Sequence, residues 1–168
     1  MTISLTESIL QAGRRPDFVD RMKGFYASVD ESVAGHRPTC WNHGVCCKFE
    51  SFGHKLFVTS AELAYFHHGR RDDWRSPTED RACPYQIDGL CTAREHRPLG
   101  CRIFFCDPAA QAWQPDEYES HLKTLKGICL EFGLEYRYQE WLSALQSLEA
   151  EFRANGHLDP RIDVEAGL

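Results

Sequence analysis

Residues 40–47 read Cys40-Trp41-Asn42-His43-Gly44-Val45-Cys46-Cys47. The same chemistry returns in Cys83-Pro84-Tyr85-Gln86-Ile87-Asp88-Gly89-Leu90-Cys91 and again between Arg97 and Cys106. Seven of the eight cysteines thus fall between Cys40 and Cys106, a density that means either a disulfide scaffold or a metal site. A disulfide scaffold needs an oxidising compartment. The N-terminus, Met1-Thr2-Ile3-Ser4-Leu5-Thr6-Glu7, carries no basic stretch ahead of an apolar one. A cytoplasmic, reducing setting is therefore expected, in which thiols stay free and metal binding becomes the leading expectation.

Working outward, the segments on either side read as helices. Phe18, Met22, Phe25, Val29 and Val33 step by four, three, four and four, the buried face of a helix opened by Pro16 and closed by Gly35. A shorter helix with Leu5, Ile9 and Leu10 precedes it and breaks at Gly13. After the first cysteine block, residues 49–52 and 55–59 read as short strands turned by Gly53-His54, and Thr59 with Glu62 forms a capping box for a helix ending at Gly69. Asp88-Gly89 is a two-residue hairpin signal that brings Cys83 and Cys91 toward one end. Residues 94–102 read as a turn and residues 103–108 as a short buried strand. Pro115 opens a helix with Tyr118, Leu122, Leu125, Cys129 and Phe132 to Gly133, and a last helix carries Tyr138, Leu142, Leu145, Leu148 and Phe152.

The expected fold is α+β: one small irregular, metal-centred domain over 1–168, its cysteine loops and short hairpin clasped by N- and C-terminal helices. Residues 1–35 form the N-terminal helical segment, 36–108 the cysteine core, 114–156 the C-terminal helical pair and 157–168 a tail. Leu, Ile, Val and Phe make up 37 of 168 residues, just above the roughly one-fifth below which disorder is the default. The middle segment is poorest in them, and a metal centre supplies stability that its core lacks. With 19 basic and 25 acidic residues and a net charge of −6, no basic field gathers nucleic acid or anionic lipid. No stretch of about 18 residues is free of charge, so no membrane span is expected.

Thiolates hold zinc tetrahedrally at about 2.3 Å, and four of them also hold an iron–sulfur cluster. Zinc sites usually use close C-x2-4-C pairs, and the approximations here are His43-x2-Cys46 and Cys101-x4-Cys106. Adjacent Cys46 and Cys47 are expected to point apart, one ligating and the other packing or serving a second ion. Cys129, on the apolar stripe of its helix, reads as a small core residue. His36, His54, His67, His68, His96, His121 and His157 are scattered and read as surface or packing residues.

The three blocks resemble the bacterial YkgJ-type cysteine-cluster family, described as a zinc- or iron-chelating domain. Its pattern is Cys-x2-Cys-Gly-x-Cys-Cys, then Cys-Pro-aromatic with Gly and Cys following, then Arg-Pro-x2-Cys-Arg-x-aromatic. The counterparts are Cys40-x2-His43-Gly44-x-Cys46-Cys47, then Cys83-Pro84-Tyr85 with Gly89 and Cys91, then Arg97-Pro98-Leu99-Gly100-Cys101-Arg102-Ile103-Phe104. The resemblance implies a zinc or iron–sulfur centre with Cys40, Cys46, Cys47, Cys83, Cys91 and Cys101 as its ligand pool. His43 stands where the family commonly has a cysteine, so either it replaces that thiolate or ligation bypasses the position. Cys106 lies outside the pattern and joins the pool by proximity. A similar cluster occurs in flagellin lysine methylases, but no methyl-donor signature accompanies it here.

Four thiolates around a divalent metal or a cluster leave a net charge of about −2, which cations or backbone N–H groups must offset. Arg94, Arg97 and Arg102 are placed in sequence to do so, and Gly44 and Gly100 to let amides approach sulfur. The expected function is intracellular metal chelation by an iron–sulfur cluster, slightly preferred, or by zinc, with redox activity a natural extension. Two alternatives stand beside it: an iron–sulfur oxidoreductase or modifying enzyme, and a zinc-stabilised module that binds a protein partner. No phosphate loop, nucleophile elbow or zinc-protease motif is present.

Overall fold

The stepping of Phe18, Met22, Phe25, Val29 and Val33 becomes the buried face of α2 (Pro16–His36) in the computed structural model, which describes residues 3–40, 45–49 and 53–156. His43, Trp41, Gly44 and the 157–168 tail lie outside the described residues. Before α2, α1 (Leu5–Gly13) starts at Ser4, whose hydroxyl accepts from the Glu7 N–H at 3.1 Å.

Next, β1 (Phe57–Thr59) runs into α3 (Ser60–Arg70). The capping box forms as read: Thr59 N–H donates to Glu62 at 2.7 Å and Glu62 N–H to the Thr59 hydroxyl at 3.4 Å. Every residue of α3 from Ser60 to His67 is buried, so it is the central helix, with Leu63 and Phe66 in one apolar cluster with Ile9, Phe18, Leu125 and Phe152. The other long helices are α5 (Gln114–Glu131) and α6 (Trp141–Ala154). Glu117 of α5 fastens α2: the Ser32 hydroxyl donates to it at 2.8 Å, and His36 and His121 bring Nε2 to its carboxylate at 3.2 and 3.1 Å.

The hairpin of β2 (Gln86–Ile87) and β3 (Leu90–Cys91) forms in the register Gln86↔Cys91 and Ile87↔Leu90. Asp88 and Gly89 both take positive φ, 51° and 80°, as a two-residue I′ turn demands. Three expectations change. From the strand expected over residues 55–59, β1 pairs antiparallel with β4 (Tyr138–Glu140), so Tyr138 belongs to a strand and α6 begins after it. Residues 50–52 lie outside the described residues. The buried strand expected at 103–108 does not form: Phe104 is exposed, a 3-10 helix starts at Pro108, and Ile103 ends a one-turn helix, α4 (Leu99–Ile103). That turn is held from outside: Leu99 N–H donates to Glu62 Oε1 at 2.7 Å, an interaction between residues far apart in sequence.

Among the described residues the fold is therefore α+β, six α-helices with two two-stranded antiparallel ribbons. No described helix is long and apolar enough to cross a membrane.

Candidate metal-binding site

Cys40, Cys46, Cys47, Cys83, Cys91, Cys101 and Cys106 all line one cavity of about 150 Å³. They reach it from different elements. Cys40 lies just beyond α2, Cys46 and Cys47 sit in a 3-10 turn (Val45–Cys47), Cys91 on β3 and Cys101 on α4. The loop of Cys40 is tied to that of Cys106 because Thr39 N–H donates to Asp107 Oδ2 at 3.2 Å. The backbone of the first block is joined to the second by Cys83 N–H donating to the Cys47 carbonyl at 2.8 Å. Cys129 is buried on α5 away from the cavity, as its place on the apolar stripe led one to expect.

Cys46 and Cys47 do not diverge. The tight turn places their sulfurs 4.0 Å apart, and both line the cavity. That separation is close to the edge of a zinc–thiolate tetrahedron, about 3.8 Å for bonds of 2.3 Å. Yet among the described residues no three Cys, His, Asp or Glu side chains already converge on one ion position. The thiols surround a volume instead of a point.

Their electrostatics divide them. The neighbouring Cys46 sulfur, and after it Cys83, raises the Cys47 thiol, while Cys47 lowers Cys83. The Tyr85 N–H and the Trp141 indole lower Cys83 further, against its burial. Cys101 is pushed well up, first by desolvation and then by Cys83, Cys46 and Cys91. Its surface is open, but open onto the cavity, where protein surrounds it. Burial also raises Cys91, with Cys83 adding to the effect. Cys106, exposed, is raised by desolvation and then by Cys46 and Cys40.

The rest of the wall is of two kinds. Phe49, Leu56, Phe66, Tyr85 and Trp141 make it apolar, while Arg94 and Arg97 bring cations. One buried donor there, the Arg97 Nε, lacks a partner, while the Trp141 indole faces Cys83 and favours its charged form. Burial and the neighbouring Arg94 and Arg102 cations lower Arg97. Gly100 borders Leu56 of this wall, where an added Cβ would stand 2.7 Å from Leu56 Cδ1, the end of a side chain that would have to shift.

Arg102 is a correction. Expected beside the thiolates, it turns away, donating to Asp30 Oδ2 at 2.8 Å and to the carbonyls of Arg97 and Glu95 at 2.9 and 2.7 Å. Its guanidinium also lies 4.0 Å over the Tyr26 ring. With three acceptors to satisfy, it holds the backbone of Arg97 in place instead of meeting the site. Trp141 was not singled out from sequence; no local signal connects it to cysteines so distant along the chain.

No family model, curated protein or solved structure matches the chain. The case for a metal centre therefore rests on its own residues.

Proposed function

We propose that the chain chelates a metal centre, an iron–sulfur cluster in preference to zinc, with thiolates drawn from Cys46, Cys47, Cys83, Cys91 and Cys101. Cys40 and Cys106 line the same cavity. The observation that carries this is the convergence of seven cysteines from three sequence blocks on one cavity. Scattered structural cysteines have no reason to converge.

Two further observations support it. A buried N–H donor left without a partner costs about 1–3 kcal/mol, and Arg97 presents one at this wall. An anionic, sulfur-rich occupant accepts such bonds and accounts for the cost. By the same measure as the cavity's 150 Å³, a water molecule needs about 10–15 Å³, so there is room for far more than one ion. Sulfurs spread around such a volume suit a cluster, in which each thiolate binds a different iron, better than they suit a single tetrahedral ion.

When bound, a cluster supplies one-electron chemistry, and zinc supplies a structural cross-link. The chain's own residues do the rest. Arg94 and Arg97 offset negative charge, Trp141 directs its N–H at sulfur, and the aromatic wall limits water. Free thiols of this kind belong in a reducing compartment such as the cytoplasm. Chelation, without a catalytic step, is the whole of the proposed activity.

The test is the metal and acid-labile sulfide content of protein purified without oxygen or chelator. Iron with matching sulfide in a brown protein supports the cluster form, and one zinc per chain in a colourless protein supports the zinc form. A folded, reduced chain that retains neither after reconstitution overturns the proposal.

A further inference from the structure

The stretch of cavity wall that carries Arg94 and Arg97 rests against α3 through an imidazole. His96 ends a 3-10 turn (Arg94–His96), its N–H donating to the Ala93 carbonyl at 3.0 Å. Its ring lies so close to Gly69, near the end of α3, that a Cβ there would collide with the ring's Nε2, Cδ2 and Cε1. What the ring uses at Gly69 is the missing side chain, since the backbone there takes no positive φ. The Tyr65 ring, one turn earlier in α3, lies 5.1 Å from the imidazole between centroids. From α4, Arg102 binds the same turn, donating to the Glu95 carbonyl at 2.7 Å and to the Arg97 carbonyl at 2.9 Å.

This slot suits a neutral ring. The charges that face it are His68, when protonated, and Arg70 from α3, Arg102 from α4, and Glu95 of its own turn, with Arg94 and Arg97 close along the chain. Asp73 and Asp30 are already paired with Arg70 and Arg102. The Tyr65 hydroxyl is raised by burial and stays uncharged. Burial first lowers the imidazole from its ordinary value of 6.5; Glu95 opposes this, and Arg70, His68 and Arg102 add to it.

We propose that His96 is an acid-released pin: neutral, it holds the 94–97 turn against Gly69, and protonated by solvent it leaves the slot and frees the turn that presents Arg94 and Arg97 to the cavity. The sign follows from the direction of the shift. A lowered imidazole contributes stability that is present above 6.5 and is lost as pH falls from there through the folded value. The pin stands on the fold alone. Its consequence for a bound metal, a looser hold once the turn is free, rests on the chelation proposed above.

The experiment follows the full chain, reduced and metal-free, by NMR from about pH 8 to 5, the range in which histidine changes charge. The His96 ring should titrate below 6.5. Across the same midpoint the Arg102 Nε–H, which donates to the Arg97 carbonyl, should lose about tenfold or more of its protection from exchange, after correction for the intrinsic rate. In His96→Gln that protection should no longer depend on pH. In Gly69→Ala, where a Cβ takes the place of the ring, protection should already be low at neutral pH. A ring that titrates at or above 6.5, or the same acid loss in His96→Gln, overturns the pin.

Zinc affinity is then compared between the natural chain and Gly69→Ala at one neutral pH, so that thiol protonation is common to both. A several-fold weaker hold in Gly69→Ala supports the consequence for metal, and equal affinity overturns that consequence while the pin stands. A chain that takes up neither zinc nor, after reconstitution, iron and sulfide removes the chelation instead, and the exchange data still decide the pin.

Discussion

The cap of α3 and the cysteine cavity lie on the two sides of the short α4 helix, and they treat buried polar groups in opposite ways. Glu62 is 2% exposed, and burial raises its carboxyl, yet it accepts from the N–H groups of Thr59 and Leu99 within the chain. At the cavity, which Cys101 of α4 also lines, Arg97 keeps a buried Nε–H that nothing in the described chain receives. A region whose buried groups are satisfied by the protein is a piece of framework; one whose groups are left waiting is shaped for something else.

The comparison breaks most easily at the cysteines. Cys47→Ser and Cys101→Ser should each lose most of the bound metal, and lower the melting temperature with it, because binding energy in such a site is folding energy. Cys129→Ser, away from the cavity, should leave metal content unchanged. Metal analysis beside a thermal melt checks all three, and full occupancy in both cavity variants removes these residues from the ligand set.

Glu62→Ala tests the framework side. It strips acceptors from two buried N–H groups at about 1–3 kcal/mol each, so a loss of roughly 2–5 kcal/mol is expected in urea unfolding. Metal bound per folded chain should not change; if it falls in proportion, the two regions are not separable.

Trp141→Phe is subtler, removing the indole N–H and keeping most of the ring. Loss of such an outer partner typically costs about 10–100-fold in metal affinity, which competition against a chelator measures. An unchanged affinity would mean that the N–H serves no occupant.

The smallest effect lies at Glu117. Hydrogen bonds from His36 and then Ser32 hold its carboxyl below the ordinary value of 4.5. A lowered acid contributes stability that is present at neutral pH and disappears as pH falls through the folded value, below 4.5. Glu117→Gln should flatten the dependence of melting temperature on pH in that acid range, by under about 1 kcal/mol for a solvent-screened group.

Legibility in the sequence followed distance along the chain. The Thr59–Glu62 box and the Asp88-Gly89 turn were readable because each is complete within a few residues. The pairing of β1 with β4 was not, since nothing near Phe57 names Glu140 as its neighbour. The α4 turn escaped for the same reason, being held by Glu62 from outside its own sequence. At the site, the cysteines announced themselves by type and density, and Arg97 by adjacency. Arg102 had the same adjacency, and its partner Asp30 on α2 decided otherwise. Trp141 joins the cavity only because Trp141 N–H donates to the Leu56 carbonyl at 2.8 Å, bringing α6 beside the first strand.

The hairpin that carries Cys91 has two residues in each strand, and a two-stranded ribbon of that size is marginal in water on its own. Thr92 N–H donating to the Tyr85 carbonyl at 2.8 Å is among the few bonds that close its base. Its opening free energy therefore belongs at the low end for the molecule, and anything that grips Cys91 raises it by mass action. Amide protons of the hairpin become a gauge of whether the cavity is filled: fast to exchange in the bare chain, slowed once its contents hold the ribbon shut.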